Sequence, residues 1–309
     1  MKPLSGLICS VVSAILFVPL VAVATPLEVH EVAKGIYVHE GVHEDFDENY
    51  HGDIANIGFI VGDDAVAVVD TGGSYLVGKS LHEAIRAVTK LPIKYVINTH
   101  VHPDHIFGNA AFANDKPAFV GNAKLAQQLY ASQDTYLRNL KQELGDKAEG
   151  SEVVLPTLKV EGEKTLDLGN RTLTLNTWPT AHTDTDLTVY DAKTKTLWTG
   201  DLLFSERTPS LDGDIKGWLA AIPKLEAMPA ATVIPGHGHV SHQPAEAWSK
   251  ELTYLETLMK DVRADIKAGN DLNYSMDHAG QSEKDKWVLF GIVNRRNVNI
   301  LYPELEWED

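Results

Sequence analysis

The sequence predicts an α/β fold in which two β-sheets pack face to face and helices cover their outer sides. Short apolar runs rich in β-branched residues come in pairs around polar turns. Each group of strands is followed by a segment of helical periodicity, and the pattern restarts near residue 164. The composition is globular, with 309 residues of which 44% are apolar and 23% charged, enough for a large core without disulfides.

The elements follow in order. Residues 35–40 (GIYVHE) read as a strand. Residues 54–61 and 65–70 are apolar runs joined by Gly62-Asp63-Asp64, a hairpin signal. Residues 74–90 carry Leu76, Leu81, Ile85 and Val88 at helical spacing. A strand at 93–98 leads into a loop full of histidines, and 122–144 reads as a helix ending in a polar, flexible stretch at 145–151. Strands at 164–168 and 171–178 flank a Gly169-Asn170 turn, and a second pair, 187–190 and 196–199, flanks Asp191-Ala192-Lys193. A helix at 214–228, a short strand at 232–235 and a long amphipathic helix at 244–268 come next, and the remainder is mostly helical.

The first 24 residues differ in kind. They hold Lys2 and no acid, then an apolar run from Leu4, then the small-x-small site Ala22-Val23-Ala24 before Thr25-Pro26. That layout predicts a cleaved secretory signal peptide (1–24), leaving a mature chain of 25–309 in the periplasm, free of the membrane. The competing reading is a retained anchor of about 20 residues. The only cysteine, Cys9, lies inside this segment, so the mature chain has no disulfide to form. With 27 basic and 43 acidic residues the net charge is 27 − 43 = −16, which argues against nucleic acid as a partner. A small-molecule substrate is expected instead, and oligomeric state is not legible.

The chemistry is concentrated in a few positions. His100-Val101-His102-Pro103-Asp104-His105 places three imidazoles and a carboxylate within six residues. Such a pattern arises by chance in about one of several hundred chains of this composition. In an extended segment alternate residues face one side, so His100 and His102 can grip one ion while Asp104 and His105 project toward a neighbouring position. Neutral imidazole and carboxylate are the usual ligands of catalytic zinc. His182, Asp201 and His237 each stand beside Gly or Pro just past an apolar strand, where a site can be assembled from distant segments.

These pieces resemble the metallo-β-lactamase superfamily: Val69-Asp70-Thr71-Gly72, residues 99–105 (THVHPDH), His182, Thr199-Gly200-Asp201 and Pro235-Gly236-His237-Gly238 stand in that family's order and spacing. The resemblance implies a four-layer αββα sandwich with two zinc ions at one edge. It assigns His100, His102 and His182 to the first ion, Asp104, His105 and His237 to the second, and Asp201 to the bridge between them. Asp70 becomes a supporting acid behind the ligands. One departure matters. The zinc β-lactamases themselves generally carry cysteine, or lack a bridging carboxylate, at the place of Asp201. An Asp there looks like the glyoxalase II, lactonase and sulfur-oxidation or quinoprotein-linked branches.

The expected activity is that of a periplasmic dinuclear-zinc hydrolase in which metal-bound hydroxide attacks a carbonyl, with Asp104 and Asp201 as catalytic carboxylates. Its first substrate class is the cyclic amide of a β-lactam, with consequences for antibiotic resistance, and its second is a thioester or lactone. A binding module that does no chemistry is expected to have lost ligands, whereas all seven are present here. Arg207 is a candidate anchor for an anionic substrate group. His239 and His242 read as supporting or surface groups. The acidic stretch from His43 to His51 could cover the site, with Phe46 or Tyr50 touching substrate.

Overall fold

The computed structural model describes residues 25–45, 47 and 50–308. The expected signal peptide (1–24) and Phe46 lie outside the described residues. None of the described helices is long and apolar enough to cross a membrane.

The first sheet is built from β1 (His30–Ala33), β2 (Ile36–His39), β3 (Ile57–Val61), β4 (Val66–Val69), β5 (Ile93–Ile97), β6 (Ala118–Asn122) and β7 (Leu158–Val160), adjacent in that order. Helix α1 (Tyr75–Val88) links β4 to β5, the one-turn α2 (Pro103–Ile106) follows β5, and α3 (Leu125–Leu144) follows β6. The second sheet takes β8 (Glu163–Asp167), β9 (Thr172–Thr177), β10 (Leu187–Asp191), β11 (Thr196–Phe204) and, after α4 (Ile215–Glu226), β12 (Thr232–His237). Its spatial order is β12-β11-β10-β9-β8. Helices α5 (Pro244–Ala268), α6 (Leu272–His278) and α7 (Phe290–Glu306) complete the chain.

Strand alternation builds the layers. Ile36, Val38, Ile60, Ala67, Val69, Ile97 and Val120 of the first sheet face Leu173, Leu175, Leu187, Val189, Trp198 and Ile234 of the second. Their neighbours one residue along point the other way. Phe59, Val66, Val68 and Val96 meet Val77, Leu81 and Ile85 of α1. Leu197 and Val233 meet Trp218 and Ile222 of α4 and Trp248, Leu255 and Leu258 of α5. A period of two therefore separates a central core from two outer cores, which is the expected αββα sandwich. The apolar stripe on α5 is core packing, as its periodicity implies.

Strand direction positions the site. β4 to β7 run parallel, as do β11 and β12, so the carboxyl ends of β4, β5, β11 and β12 can share one edge of the sandwich. Two backbone bonds stitch the sheets there, Leu187 N–H to Thr99 O at 2.8 Å and Asn56 N–H to Gly236 O at 2.7 Å.

Six elements depart from the sequence expectation. β1, β6 and β7 are strands where none is legible, because each is short and interrupted: β1 carries His30 and Glu31, β6 contains Gly121, and β7 follows Pro156. Asn122 ends β6 and accepts from Lys124 N–H at 3.0 Å, so the helix begins at Leu125 instead of 122. The stretch at 145–151 forms a short 3-10 turn over Gly145–Ala148, and Ala148 packs on Leu140 and Leu144. β11 runs on to Phe204, so Asp201 sits inside a strand and not just past one.

Candidate metal centre

Pro103 is the reason the histidine loop has two faces. Proline at the first helical position presets φ and needs no N–H partner, so the extended run through His102 turns abruptly into α2. His100 and His102 stay on the extended side, while Asp104 and His105 are carried round by the turn. The result is two clusters of donor atoms, His100–His102–His182–Asp201 and Asp104–His105–His237, each with its ligand atoms within 4.8 Å of one another. In the first, His102 Nδ1 lies 3.1 Å from His100 Nε2 and 2.9 Å from His182 Nε2. In the second, Asp104 Oδ2 lies 3.6 Å from His105 Nε2 and 3.4 Å from His237 Nε2. Asp201 touches both: Oδ2 is 3.3 Å from His182 Nε2 and 3.3 Å from His237 Nε2, and Oδ1 is 3.1 Å from His105 Nε2.

Every imidazole is held from behind. His182 Nδ1 bonds the Ser210 carbonyl at 2.7 Å and His237 Nδ1 the Ile54 carbonyl at 2.7 Å. A carbonyl only accepts, so both Nδ1 atoms carry the proton and both Nε2 atoms point inward as lone pairs when the rings are neutral. His102 reaches the same state in reverse, with Nε2 donating to Asp212 Oδ2 at 2.8 Å and Nδ1 turned inward. Thr99 Oγ1 donates to Asp70 Oδ2 at 2.7 Å and accepts from His100 Nδ1 at 3.0 Å. Asp70 Oδ2 also accepts from His105 Nδ1 at 2.9 Å, and Asp70 Oδ1 accepts from Thr99 N–H at 2.8 Å. Asp70 thus supports a ligand in each cluster, directly for His105 and through Thr99 for His100.

Three inward lone pairs within 3.1 Å of their neighbours cannot satisfy one another. His105 Nε2 and Asp201 Oδ1, both buried, have no hydrogen-bond partner. Burial pulls His100 well below the ordinary imidazole range and His182 down to about 4, which keeps both rings neutral as metal ligands need to be. Burial opposes charge on Asp201 as well, but His237 and His105 hold it well below the usual carboxylate range. Burial lowers His105 too, but the carboxylates of Asp201, Asp104 and Asp70 around it raise it well above the ordinary imidazole range, so a metal ion bound there would take the place of a proton. Converging imidazoles, an ionised carboxylate and unsatisfied buried ligand atoms fit a pair of metal ions.

Close backbone approach is built in. A Cβ on Gly236 would lie 1.8 Å from Asp201 Oδ1, so only glycine lets the β12 turn pass behind the carboxylate. Asn56 fixes that turn by donating from Nδ2 to the Pro235 and Gly238 carbonyls at 2.9 and 2.6 Å. Phe204 stacks on His237 with centroids 5.1 Å apart. The Phe204 N–H donates to Glu251 of α5 at 2.9 Å, and burial raises that acid well above its ordinary pKa.

The clusters open into a cavity of about 400 Å³ lined by His102, Asp104, His182, Asp201, His237, Arg207 and Arg296 among others. Arg207 is 5% exposed, a wall of the cavity and not a surface residue, and donates to the Glu44 carbonyl at 2.7 Å. Tyr50 is not among the lining residues; it is buried against Ile54, Phe107 and Leu140. His239 is largely exposed and pairs with Glu40 at 2.7 Å, while His242 Nδ1 meets Thr232 Oγ1 at 3.0 Å. Asp212, Ser210 and Arg296 escape sequence reasoning because each lies outside any motif. Thr99 belongs to THVHPDH, but its relay role depends on a contact to Asp70 that spacing does not reveal.

The family model described as the metallo-β-lactamase superfamily matches residues 51–237, more than half of the chain. The chain belongs to the metallo-β-lactamase superfamily. The match starts just before β3 and ends on His237, so it takes in every residue of both clusters. Solved members share the fold: a metallo-β-lactamase from Pontibacter korlensis (22% identity, 74% of this chain and 99% of that one, TM-score 0.58) and the DIM-1 metallo-β-lactamase (18%, 75% and 98%, TM-score 0.58). A β-lactamase-like protein 2 homolog of Caenorhabditis elegans is 24% identical over 77% of this chain and 74% of its own length. A linear primary-alkylsulfatase of a Pseudomonas species is 34% identical over 77 residues, which is 25% of this chain and only 14% of that protein. Members of this superfamily are generally hydrolases, and the His/Asp clusters supply a site that could hold metal.

Proposed function

We propose that this superfamily member is an exported hydrolase that uses two zinc ions to open an acyl bond, with the cyclic amide of a β-lactam as its first substrate class. The observation that carries the reading is the placement of Asp201, whose two oxygens reach ligands of both clusters. His100, His102 and His182 would hold the first ion and Asp104, His105 and His237 the second, with Asp201 between the two clusters. Zinc at such sites lowers the pKa of water from 15.7 to about 7 and polarises a carbonyl. Asp104, on the cavity wall, accepts a hydrogen bond from the attacking water and orients it. Arg207, also on that wall, pairs with an anionic group of the substrate. No serine or cysteine nucleophile is needed, and residues 25–309 contain no cysteine.

A thioester or lactone is the second reading, favoured by the carboxylate of Asp201 where the zinc β-lactamases generally have cysteine. Zinc-loaded protein of residues 25–309 is assayed on a penicillin, a cephalosporin, a carbapenem, a glutathione thioester and a lactone. Turnover of a β-lactam supports the first reading. Three untouched β-lactams beside a hydrolysed thioester or lactone give the second. Metal analysis is expected to return about two zinc ions per chain, because seven ligands exceed one tetrahedral site. A content near zero after loading ends the hydrolase reading. Export is supported by the charged start, apolar run and small-x-small site of residues 1–24. Periplasmic material sequenced from its N-terminus is expected to begin at Thr25, and a full-length chain in the membrane fraction replaces cleavage with an anchor.

A further inference from the structure

The family match stops at residue 237, yet the cavity does not. Helix α7 brings Arg296 and Ile300 to its wall, opposite elements that all precede α5. Arg296 offers its fork to Asp45, with Nη1 2.7 Å from Oδ1 and Nη2 3.1 Å from Oδ2. This is the bidentate geometry by which guanidinium recognises a carboxylate. The Arg296 side chain is 47% exposed, while that of Asp45 is only 9% exposed. Arg207 differs: it is buried, and one of its nitrogens is engaged by the Glu44 carbonyl next door. Of the two cavity arginines, Arg296 is therefore the one already holding a carboxylate, and that carboxylate belongs to the chain itself. Ile54, Leu211 and Ile300 add apolar surface to the same cavity.

We propose that Arg296 is a specificity-determining residue that selects substrates bearing a carboxylate away from the scissile carbonyl, and that Asp45 is its built-in competitor. The proposal rests on the hydrolase reading for its substrate but not for its binding site. Its logic is one of sign. If the Arg296–Asp45 pair only tied residue 45 to α7, removing either partner would lose the same bond and have the same effect. If the guanidinium receives substrate, removing Arg296 removes the receptor, whereas removing the Asp45 charge removes the rival.

The test compares Arg296→Ala, Asp45→Asn and the double variant on zinc-loaded protein, with benzylpenicillin and a carboxylate-bearing thioester each set beside its neutral methyl ester. For a half-exposed charge-assisted pair, Arg296→Ala is expected to raise KM for the carboxylates by about tenfold, and for the methyl esters by less than about twofold. Asp45→Asn is expected to lower KM for the carboxylates by about threefold, and to do nothing further once Arg296 is gone. Single variants that shift KM in the same direction, or an Arg296→Ala effect equal on acids and esters, overturn the proposal. If wild type turns over none of these compounds, the hydrolase reading fails separately, and calorimetric titration with phenylacetate decides this one. Tighter binding by Asp45→Asn and weaker binding by Arg296→Ala support it; equal affinity for all three proteins overturns it.

Discussion

Replacing Asp70 by asparagine tests whether the metal centre is held from behind. Asp70 has φ +53°, a left-handed conformation that Asn tolerates far better than Ala, so the substitution changes charge and hydrogen bonding without straining the backbone. The side chain is fully buried and accepts from Thr99 N–H, Thr99 Oγ1–H and His105 Nδ1–H. An amide has one acceptor oxygen for these donors, so either His105 loses its partner or Thr99 does. Without an acceptor behind it, His105 is free to carry its proton on Nε2, where a metal ion needs a lone pair. Partners of this kind typically carry 10–100-fold in metal affinity. Asp70 serves a ligand in each cluster, so the upper end applies, about 100-fold or 2.7 kcal/mol. The assay is zinc competition against a chromophoric chelator, with near-ultraviolet circular dichroism of the metal-free variant as the control for folding. A folded Asp70→Asn protein that binds two zinc ions with wild-type affinity refutes the reasoning.

Three further outcomes are expected. Asp201→Ala should lower kcat by more than the roughly 100-fold that outer partners carry and strip zinc from both clusters, whereas Arg207→Ala should chiefly raise KM; near-normal kcat and metal content in Asp201→Ala would show that it joins nothing. Gly236→Ala should lose zinc while staying folded, because its Cβ would lie 1.8 Å from Asp201 Oδ1, and metal analysis of the purified variant reads this directly. Asp186 is pushed up to about 7 from an ordinary 3.8 by burial, against hydrogen bonds donated by Thr183. Its folded form holds the proton more tightly than the unfolded chain, so its stabilising contribution is complete below about pH 4 and is lost as pH rises toward 7. Urea midpoints of metal-free Asp186→Asn should therefore fall less than those of wild type between pH 4 and pH 7, and an identical fall in both proteins removes Asp186 as the cause.

The sandwich is legible where burial forces alternation. Val66 and Val68 face one core while Ala67 and Val69 face the other, so β4 is an unbroken apolar run that could only be a doubly covered strand. β1 and β7 lie at the two edges of their sheet, where one side has no neighbour to bury against, and their charged residues cost little. Their identity comes from pairing partners far along the chain, such as β6 for β7, which a local pattern does not encode.

The site divides in the same way, between what one loop must do and what distant segments do for it. All seven donors are polar residues close in sequence to glycine or proline, so their chemistry stands out against apolar surroundings. The residues that aim them carry no such mark. Ser210 and Ile54 act through backbone carbonyls, so any side chain at those positions gives the same hydrogen bond and the sequence is silent. Asp212 is an ordinary exposed acid until it is seen 2.8 Å from His102 Nε2. Arg296 is hidden more deeply, as one of two adjacent arginines on a helix outside the family match: Arg295 meets Asp277 away from the cavity, while Arg296, on the cavity wall, turns to Asp45. Helical geometry sets successive side chains about a quarter of a turn apart, so which arginine faces the cavity is decided by how α7 packs and not by composition. Ligands can be read because chemistry restricts their type, whereas selectors are set by packing, and in a fold shared by many hydrolases selectivity is therefore the part most in need of the three-dimensional arrangement.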